Sequence, residues 1–174
     1  MTDDKGIKLL VKRLQSGNTK DILFTIKQIR SSGEPLILPY IFDLMIDNPS
    51  KEISDALIEL LNELKNKACI NEIIYGLQTD KYNSIIKELL TSCWSSGLDY
   101  SAHLELFVKI FIKNDFLIAF EAFTVIESFE KQYTADTINS LIADLKNNMN
   151  NFSEEKRNLM VELVHLLESK KLLI

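Results

Sequence analysis

The stretch KEISDALIELLNEL, residues 51–64, decides the fold class. Its apolar residues recur at intervals of three and four, which is the spacing of an amphipathic α-helix. No good run in the chain alternates apolar and polar residues with the period of two that a β-strand requires. Helix-forming residues dominate the rest of the chain, so the sequence predicts an all-α protein. The apolar stripe of the quoted stretch is formed by Ile53, Ala56, Leu57, Leu60, Leu61 and Leu64.

Residues that interrupt or cap helices divide the chain into about ten predicted helices. Glycine and proline are scarce, with 5 Gly and 3 Pro, so each marks a break clearly. Gly17 and Gly33 separate the first three helices, and Pro35 suits the first position of the third. Ser50 and Ser153 are predicted N-caps. Later breaks are predicted near residues 67–68, 79–80, 96–97, 114–115, 132–134 and 147–153.

Composition excludes several classes of protein. The 174 residues are 46% hydrophobic and 26% charged, which is too apolar for intrinsic disorder and typical of a globular protein. No stretch of about 18 uninterrupted apolar residues occurs, so no membrane-spanning helix is predicted. Cys69 and Cys93 are too few for a disulfide framework, which indicates a reducing compartment and a cytoplasmic location.

The predicted breaks recur with a nearly constant period. The last strong apolar residues before the turns are Leu14, Leu44, Leu77, Phe111 and Leu145, at intervals of 30, 33, 34 and 34 residues. A polar turn containing Asn or Asp follows each of them. One helical hairpin cannot bury its apolar face alone, whereas stacked hairpins form a continuous core. The period therefore predicts an α-solenoid of about five helical hairpins.

The segment Leu36–Asp47, continued through Lys51–Ala56, resembles a HEAT repeat. The likeness lies in a proline within the first helix, an aspartate in the turn and an apolar second helix. Ser54 departs from the family, whose second helix carries a basic residue at this point. The resemblance implies a right-handed HEAT/ARM-like superhelix forming a single HEAT-like repeat domain over residues 1–174. It also implies that the second helices line a concave surface where partners bind.

No catalytic constellation is recognisable. The two histidines, His103 and His165, lie 62 residues apart and belong to no metal-binding motif, so no metal or cofactor is predicted. Cys93 has no basic residue near it in sequence that would activate its thiol, and we expect both cysteines to pack as small apolar residues. The glycines form no phosphate-binding loop. With only three arginines and an acidic balance, nucleic acid is not expected as the main partner.

Charge is unevenly distributed along the chain. The formal net charge is −5, yet residues 5–30 hold seven bases against one acid, Asp21. Residues 99–145 hold eight acids against three bases. The basic segment is either the solvated outer face of a capping repeat or a contact surface. As a contact surface it would bind an acidic partner or a second copy of the chain.

The segment Phe107–Phe129 carries six of the nine phenylalanines. Because Phe116–Phe120 is apolar around most of a helix, we expect it to be buried between neighbouring helices. The alternative is an apolar groove, rimmed by Glu121, Glu127 and Glu130, for an amphipathic basic helix.

The sequence therefore predicts a non-enzymatic scaffold that binds an unidentified protein partner. Two alternatives remain open: a small acidic inhibitor, such as an immunity protein against a basic toxin, and an enzyme that uses scattered carboxylates. The candidate contact residues are the polar positions of the predicted second helices, namely Glu52, Asp55, Glu59, Ser84, Lys87, Glu88, Thr91, Glu121 and Glu127.

Overall fold

The helical breaks in the sequence separate ten α-helices in the structure, a computed structural model that describes residues 4–172. Within that range there is no β-strand, so the all-α prediction and the helix number are confirmed. The first six are α1 (Asp4–Leu14), α2 (Thr19–Ser32), α3 (Leu38–Ile46), α4 (Lys51–Asn62), α5 (Cys69–Gln78) and α6 (Ile86–Ser95). The last four are α7 (Leu104–Lys113), α8 (Phe116–Glu127), α9 (Ala135–Asn148) and α10 (Glu154–Ser169).

Short polar residues cap the starts of some of these helices. The side chain of Asn18 accepts hydrogen bonds from the backbone N–H groups of Lys20 and Asp21 at the start of α2. Ser153 caps α10 by accepting from the N–H of Lys156. Ser50 stands at the predicted N-cap of α4 but makes no side-chain capping bond. The N-terminal positions of these helices therefore follow directly from the sequence.

Between residues 4 and 172, four 3₁₀ helices precede or follow α-helices, and none of them was predicted. They span Pro35–Ile37, Asp80–Ile85, Ser101–His103 and Met149–Asn151. Pro35 opens the first of them, because a proline at the first helical position loses no hydrogen bond. The longest delays the start of α6 until Ile86.

The helices form two compact units that divide between Asp99 and Tyr100. In the first unit α1 packs on α2, α3 on α4 and α5 on α6, so consecutive helices form hairpins. Helix α3 also contacts α1 and α5, and α4 contacts α2 and α6. In the second unit α7 packs on α8 and α9 on α10, while α7 also contacts α9 and α8 contacts α10. The predicted solenoid and the single domain over residues 1–174 stay predictions.

The first unit is closely packed around a glycine. A Cβ atom on Gly76 of α5 would lie 3.0 Å from Phe42 Cε2 and 3.1 Å from Leu89 Cδ1. Phe42 of α3 and Leu89 of α6 are both fully buried. The absence of a side chain at Gly76 therefore lets three helices approach closely.

Phenylalanines build the core of the second unit. Phe107 is fully buried and makes edge-to-face contacts with Tyr100 and Phe129, at ring-centroid distances of 6.4 Å and 5.6 Å. Such aromatic pairs stabilise a core by about 1 kcal/mol beyond the area that they bury.

Lysine amines satisfy the carbonyl groups at the C-terminal ends of several helices. Lys65 Nζ donates to the carbonyl oxygen of Ser96, just after α6, at 2.7 Å. Lys156 Nζ does the same for α7, donating to Ile112 and Asn114. Lys170 Nζ donates to the carbonyl oxygen of Phe129, just after α8. These cations lie where the helix dipole is negative, which favours them.

Candidate functional site

Helix α4 presents a line of carboxylates on its solvent-facing side. Glu52, Asp55, Glu59 and Glu63 follow one another at intervals of three or four residues and are all exposed. Residues with this spacing lie on one face of a helix. The opposite face is buried through Ile53, Leu57, Leu60 and Leu61. We call these four acids the α4 acidic stripe.

Arg30 of α2 holds the C-terminal half of the α4 acidic stripe. Its Nη1 atom lies 3.1 Å from Glu59 Oε2, and its Nε donates to Glu63 Oε2 at 2.5 Å. The hydrogen bond to Glu63 is the main reason why the pKa of Arg30 is raised. Glu52 and Asp55 make no such contact with any described residue. Two carboxylates of the stripe are therefore neutralised within the fold, and two are available to a partner.

Helix α6 lies beside α4 and contributes three more of the predicted contact residues. Ser95 Oγ donates to Asn62 Oδ1 at 2.9 Å, which ties the C-terminal ends of the two helices together. Lys87 is exposed, whereas Thr91 and Glu88 are half-buried. The Oε2 atom of Glu88 is buried and has no hydrogen-bond partner among the described residues. Glu88 is therefore less accessible to a partner than the acids of α4.

The remaining predicted contact residues do not share a helix with this group. Ser84 is exposed but lies in the 3₁₀ helix Asp80–Ile85 rather than in α6. Glu121 and Glu127 lie on α8, which belongs to the second unit. The structure thus places Glu52, Asp55, Glu59, Lys87, Glu88 and Thr91 on two adjoining helices.

Two residues of this region were missed in the sequence. Arg30 lies 33 positions before Glu63, one repeat period, and that spacing with opposite charge was a usable signal. Trp94 of α6 keeps 42% of its surface exposed, although a lone tryptophan is usually largely buried. Tryptophan is enriched among residues that dominate protein interfaces.

A cavity of about 370 Å³ adjoins Arg30 and the end of the α4 acidic stripe. Its apolar lining includes Ile29, Leu38 and Leu60. Asn66 closes one side by donating from Nδ2 to the Gly33 carbonyl oxygen at 2.8 Å. This hydrogen bond joins the ends of α2 and α4 at the cavity. The two acids that line the cavity are Glu34 and Glu63, and Glu63 is already paired with Arg30.

The histidines and cysteines are not assembled into a site in the part of the chain that the structure describes. His103 is half-buried in the 3₁₀ helix Ser101–His103, and His165 is exposed on α10. No three His, Cys, Asp or Glu side chains between residues 4 and 172 are grouped so that they could hold a metal ion. Both cysteines are buried and free, as expected from the sequence. Burial raises the pKa of the Cys69 thiol to about 11 and also raises that of Cys93.

We expect both thiols to be unreactive in the folded protein. With its pKa at about 11, the Cys69 thiol forms roughly 100-fold less thiolate near neutral pH than an exposed cysteine does. The time course of reaction with a chromogenic disulfide measures this directly, with the denatured chain as the control for full reaction of both thiols. A fast reaction of one thiol in the native protein would contradict the prediction.

Helix α8 is only partly buried, which corrects the expectation that it lies wholly between neighbours. Its buried residues are Ala119, Ala122, Val125 and Ile126. Leu117 keeps 64% of its surface exposed, and Phe116 and Phe120 are also exposed. The two phenylalanine rings lie against each other at 6.3 Å. The buried face of α8 thus consists of two alanines, a valine and an isoleucine, whereas Phe116, Leu117 and Phe120 are exposed to solvent.

None of the helices between residues 4 and 172 combines the length and the apolar character needed to cross a membrane. No protein-family model matches this chain, and no curated protein matches it either.

Proposed function

We propose that this chain is a non-enzymatic HEAT-like α-solenoid scaffold that binds a protein partner on the surface of its second helices. The packing of α4 on both α2 and α6 supports this arrangement, because second helices in a stacked array contact one another in a row. The contacts of α3 with α1 and α5 support the matching row of first helices.

The main support for the proposal is the α4 acidic stripe. Glu52 and Asp55 stand exposed on a rigid helix without a partner cation, and Lys87 of the adjoining helix is exposed as well. An acidic row of this kind attracts a basic segment of another protein and fixes its register. We therefore propose a partner that presents Lys or Arg residues to α4.

The α4 acidic stripe also supports a second candidate function, that of a small acidic inhibitor that covers the basic site of a toxin. Electrostatic attraction between an acidic inhibitor and a basic enzyme accelerates their association strongly. The two candidates differ in the consequence of binding: an inhibitor abolishes the activity of its partner, whereas a scaffold does not.

Reversing the free charges of the stripe is expected to weaken partner binding at least about tenfold. The test variant is Glu52→Lys with Asp55→Lys, which leaves the pairing of Arg30 with Glu59 intact. The charge-matched control is Asp144→Lys with Glu162→Lys, at exposed positions of α9 and α10. Affinity capture from the native cell extract with quantitative mass spectrometry compares the proteins that each variant retains.

A protein retained by the wild type and the control but lost by the stripe variant supports the proposal. Identical capture by all three proteins would show that α4 is not the contact surface. An inhibitor is distinguished by adding the purified chain to the captured partner and measuring whether its enzymatic activity is lost.

A further inference from the structure

The first hairpin carries two copies of one surface pattern. On α1, Leu9 lies between Lys5 and Lys12, and on α2 Phe24 lies between Lys20 and Lys27. In both helices the apolar residue comes four positions after the first lysine and three before the second. This spacing places each set of three side chains on one face of its helix.

Leu9 and Phe24 each lie one helical turn before a residue that joins the two helices of the hairpin. Arg13 Nη1 donates to Gln28 Oε1 at 3.1 Å, joining α1 to α2. Arg13 comes one helical turn after Leu9, and Gln28 comes one turn after Phe24. We call the two lysine pairs with Leu9 and Phe24 the N-terminal basic face.

The apolar residues of this face are exposed to solvent. Leu9 keeps 50% of its surface exposed and Phe24 keeps 58%. The hairpin is buried through other residues, among them Leu14, Ile22 and Ile26. Leu9 and Phe24 are therefore not part of the buried face of the hairpin.

The lysines of the N-terminal basic face are available to a ligand. All four are exposed, and their side-chain amines make no hydrogen bond or ion pair with the residues that the structure describes. Asp21 is the one acid between Lys5 and Arg30 in the sequence. The whole chain carries −5, so this segment has the opposite sign of charge to the chain as a whole.

The residue types favour a lipid surface over a protein or a nucleic acid. Lysine is depleted in protein interfaces, where arginine and aromatic residues are enriched. Arginine is also preferred for bidentate contacts with phosphate, but Arg13 is bonded to Gln28 and Arg30 to Glu63. Lysines that flank isolated large apolar residues match helices that lie in the interface of an anionic bilayer.

We propose that the N-terminal basic face binds peripherally to anionic lipid bilayers. Leu9 and Phe24 enter the headgroup region, while the four lysine amines contact lipid phosphates. This contact uses a surface separate from the α4 acidic stripe, so the chain can bind a protein partner and a membrane at the same time.

Vesicle co-sedimentation tests the proposal with the full chain. We expect binding to vesicles of phosphatidylcholine with phosphatidylglycerol, and none to phosphatidylcholine alone. Lys20→Glu with Lys27→Glu should weaken binding at least about tenfold. Lys109→Glu with Lys146→Glu, at exposed positions of α7 and α9, has the same charge change and should not weaken it.

The apolar contribution is tested separately at constant charge. Leu9→Ala with Phe24→Ala should weaken binding several-fold, whereas Leu117→Ala on α8 should not. Phe24→Trp in a Trp94→Phe background should show a blue-shifted emission with anionic vesicles. This second readout does not depend on comparing the stability of charge variants.

Three outcomes would overturn the proposal. The first is an absence of binding to anionic vesicles, and the second is unchanged binding of the Leu9→Ala, Phe24→Ala variant. The third is an unshifted tryptophan emission at position 24. Binding of a short DNA duplex without binding to vesicles would assign the lysines to nucleic acid instead.

Discussion

Replacing Lys156 by methionine is expected to lower the free energy of unfolding by about 3 kcal/mol. The Lys156 side chain lies on α10 and is only 5% exposed. Its Nζ donates to the carbonyl oxygens of Ile112 and Asn114 at 2.8 Å and 2.7 Å. It also lies 4.1 Å from the ring centroid of Phe152, within the range of a cation–π interaction.

Methionine keeps most of the apolar stem but removes every donor. Two carbonyl groups at the end of α7 then lose their hydrogen bonds, and each such loss costs about 1–3 kcal/mol in a buried setting. The matched control is Lys146→Met on α9, an exposed lysine that has no described partner, which should change stability by less than about 0.5 kcal/mol. Urea denaturation followed by far-ultraviolet circular dichroism measures both, and equal effects in the two variants would contradict the capping role.

The same lysine makes a pH-dependent contribution whose sign is fixed by its burial. Burial lowers the pKa of Lys156, and the carboxylate of Asp115 offsets this in part. Between that lowered pKa and the unfolded value of about 10.5, the unfolded chain binds more protons than the folded one. Since the contribution of Lys156 to stability therefore grows as pH rises through this window, the difference between the wild type and Lys156→Met should widen towards alkaline pH.

Replacing Gly76 by valine is expected to lower the free energy of unfolding by about 3 kcal/mol. The added Cβ alone would stand 3.0 Å from Phe42 and 3.1 Å from Leu89, and the two methyl groups extend further. Phe42 cannot move freely, because its ring packs edge-on against Tyr82 at 5.3 Å. The clash therefore has to be relieved by separating α5 from α3 and α6.

Tyr75→Val is the matched control for this change. Tyr75 precedes Gly76 on the same helix and keeps 54% of its surface exposed, so it tests the helix propensity of valine without the clash. The control should change the free energy of unfolding by less than about 0.5 kcal/mol. Thermal midpoints of the two variants that agree within error would show that α3 and α6 can accommodate the larger side chain.

The helices were predictable because their ends are local. Asn18, Gly33 and Ser153 determine where a helix starts or stops through bonds to residues at most four positions away. The 3₁₀ helix Asp80–Ile85 was not predictable in this way. Tyr82 Oη donates to Asp43 Oδ1 at 2.9 Å, and this contact spans 39 positions of the chain. The delayed start of α6 is the reason why Ser84 does not lie on that helix.

Burial was least predictable where a polar side chain is buried or an apolar side chain is exposed. Lys156 lies in the polar run Glu154–Arg157, which indicates an exposed first turn, yet aromatic rings from two other segments enclose it. Phe120 lies in an apolar run and is exposed, whereas Ala119 and Ala122 of the same helix are buried. In both places tertiary packing overrides the local pattern. A single sequence does not show which distant residues pack against these side chains.

The candidate site was predicted in part. Glu52, Asp55 and Glu59 were identified from the periodicity of α4, because exposed positions of an amphipathic helix follow from its apolar ones. The pairing of Glu59 with Arg30 divides the stripe into neutralised and available carboxylates. That division depends on the approach of α2, which periodicity does not encode.

The hydrogen bonds from lysine amines to the C-terminal ends of helices affect the order in which those ends are completed during synthesis on the ribosome. The amines that complete the ends of α7 and α8 come from Lys156 and Lys170, 42 and 41 residues after the carbonyl groups that they reach. Synthesis proceeds from the N-terminus at about 5–20 residues per second, so both helix ends remain solvated and uncapped for several seconds. The C-terminal end of α6 can be capped as soon as it is synthesised, because Lys65 is made before Ser96. A chain that stalls before Lys156 therefore exposes the uncapped C-terminal ends of α7 and α8 to chaperones and proteases.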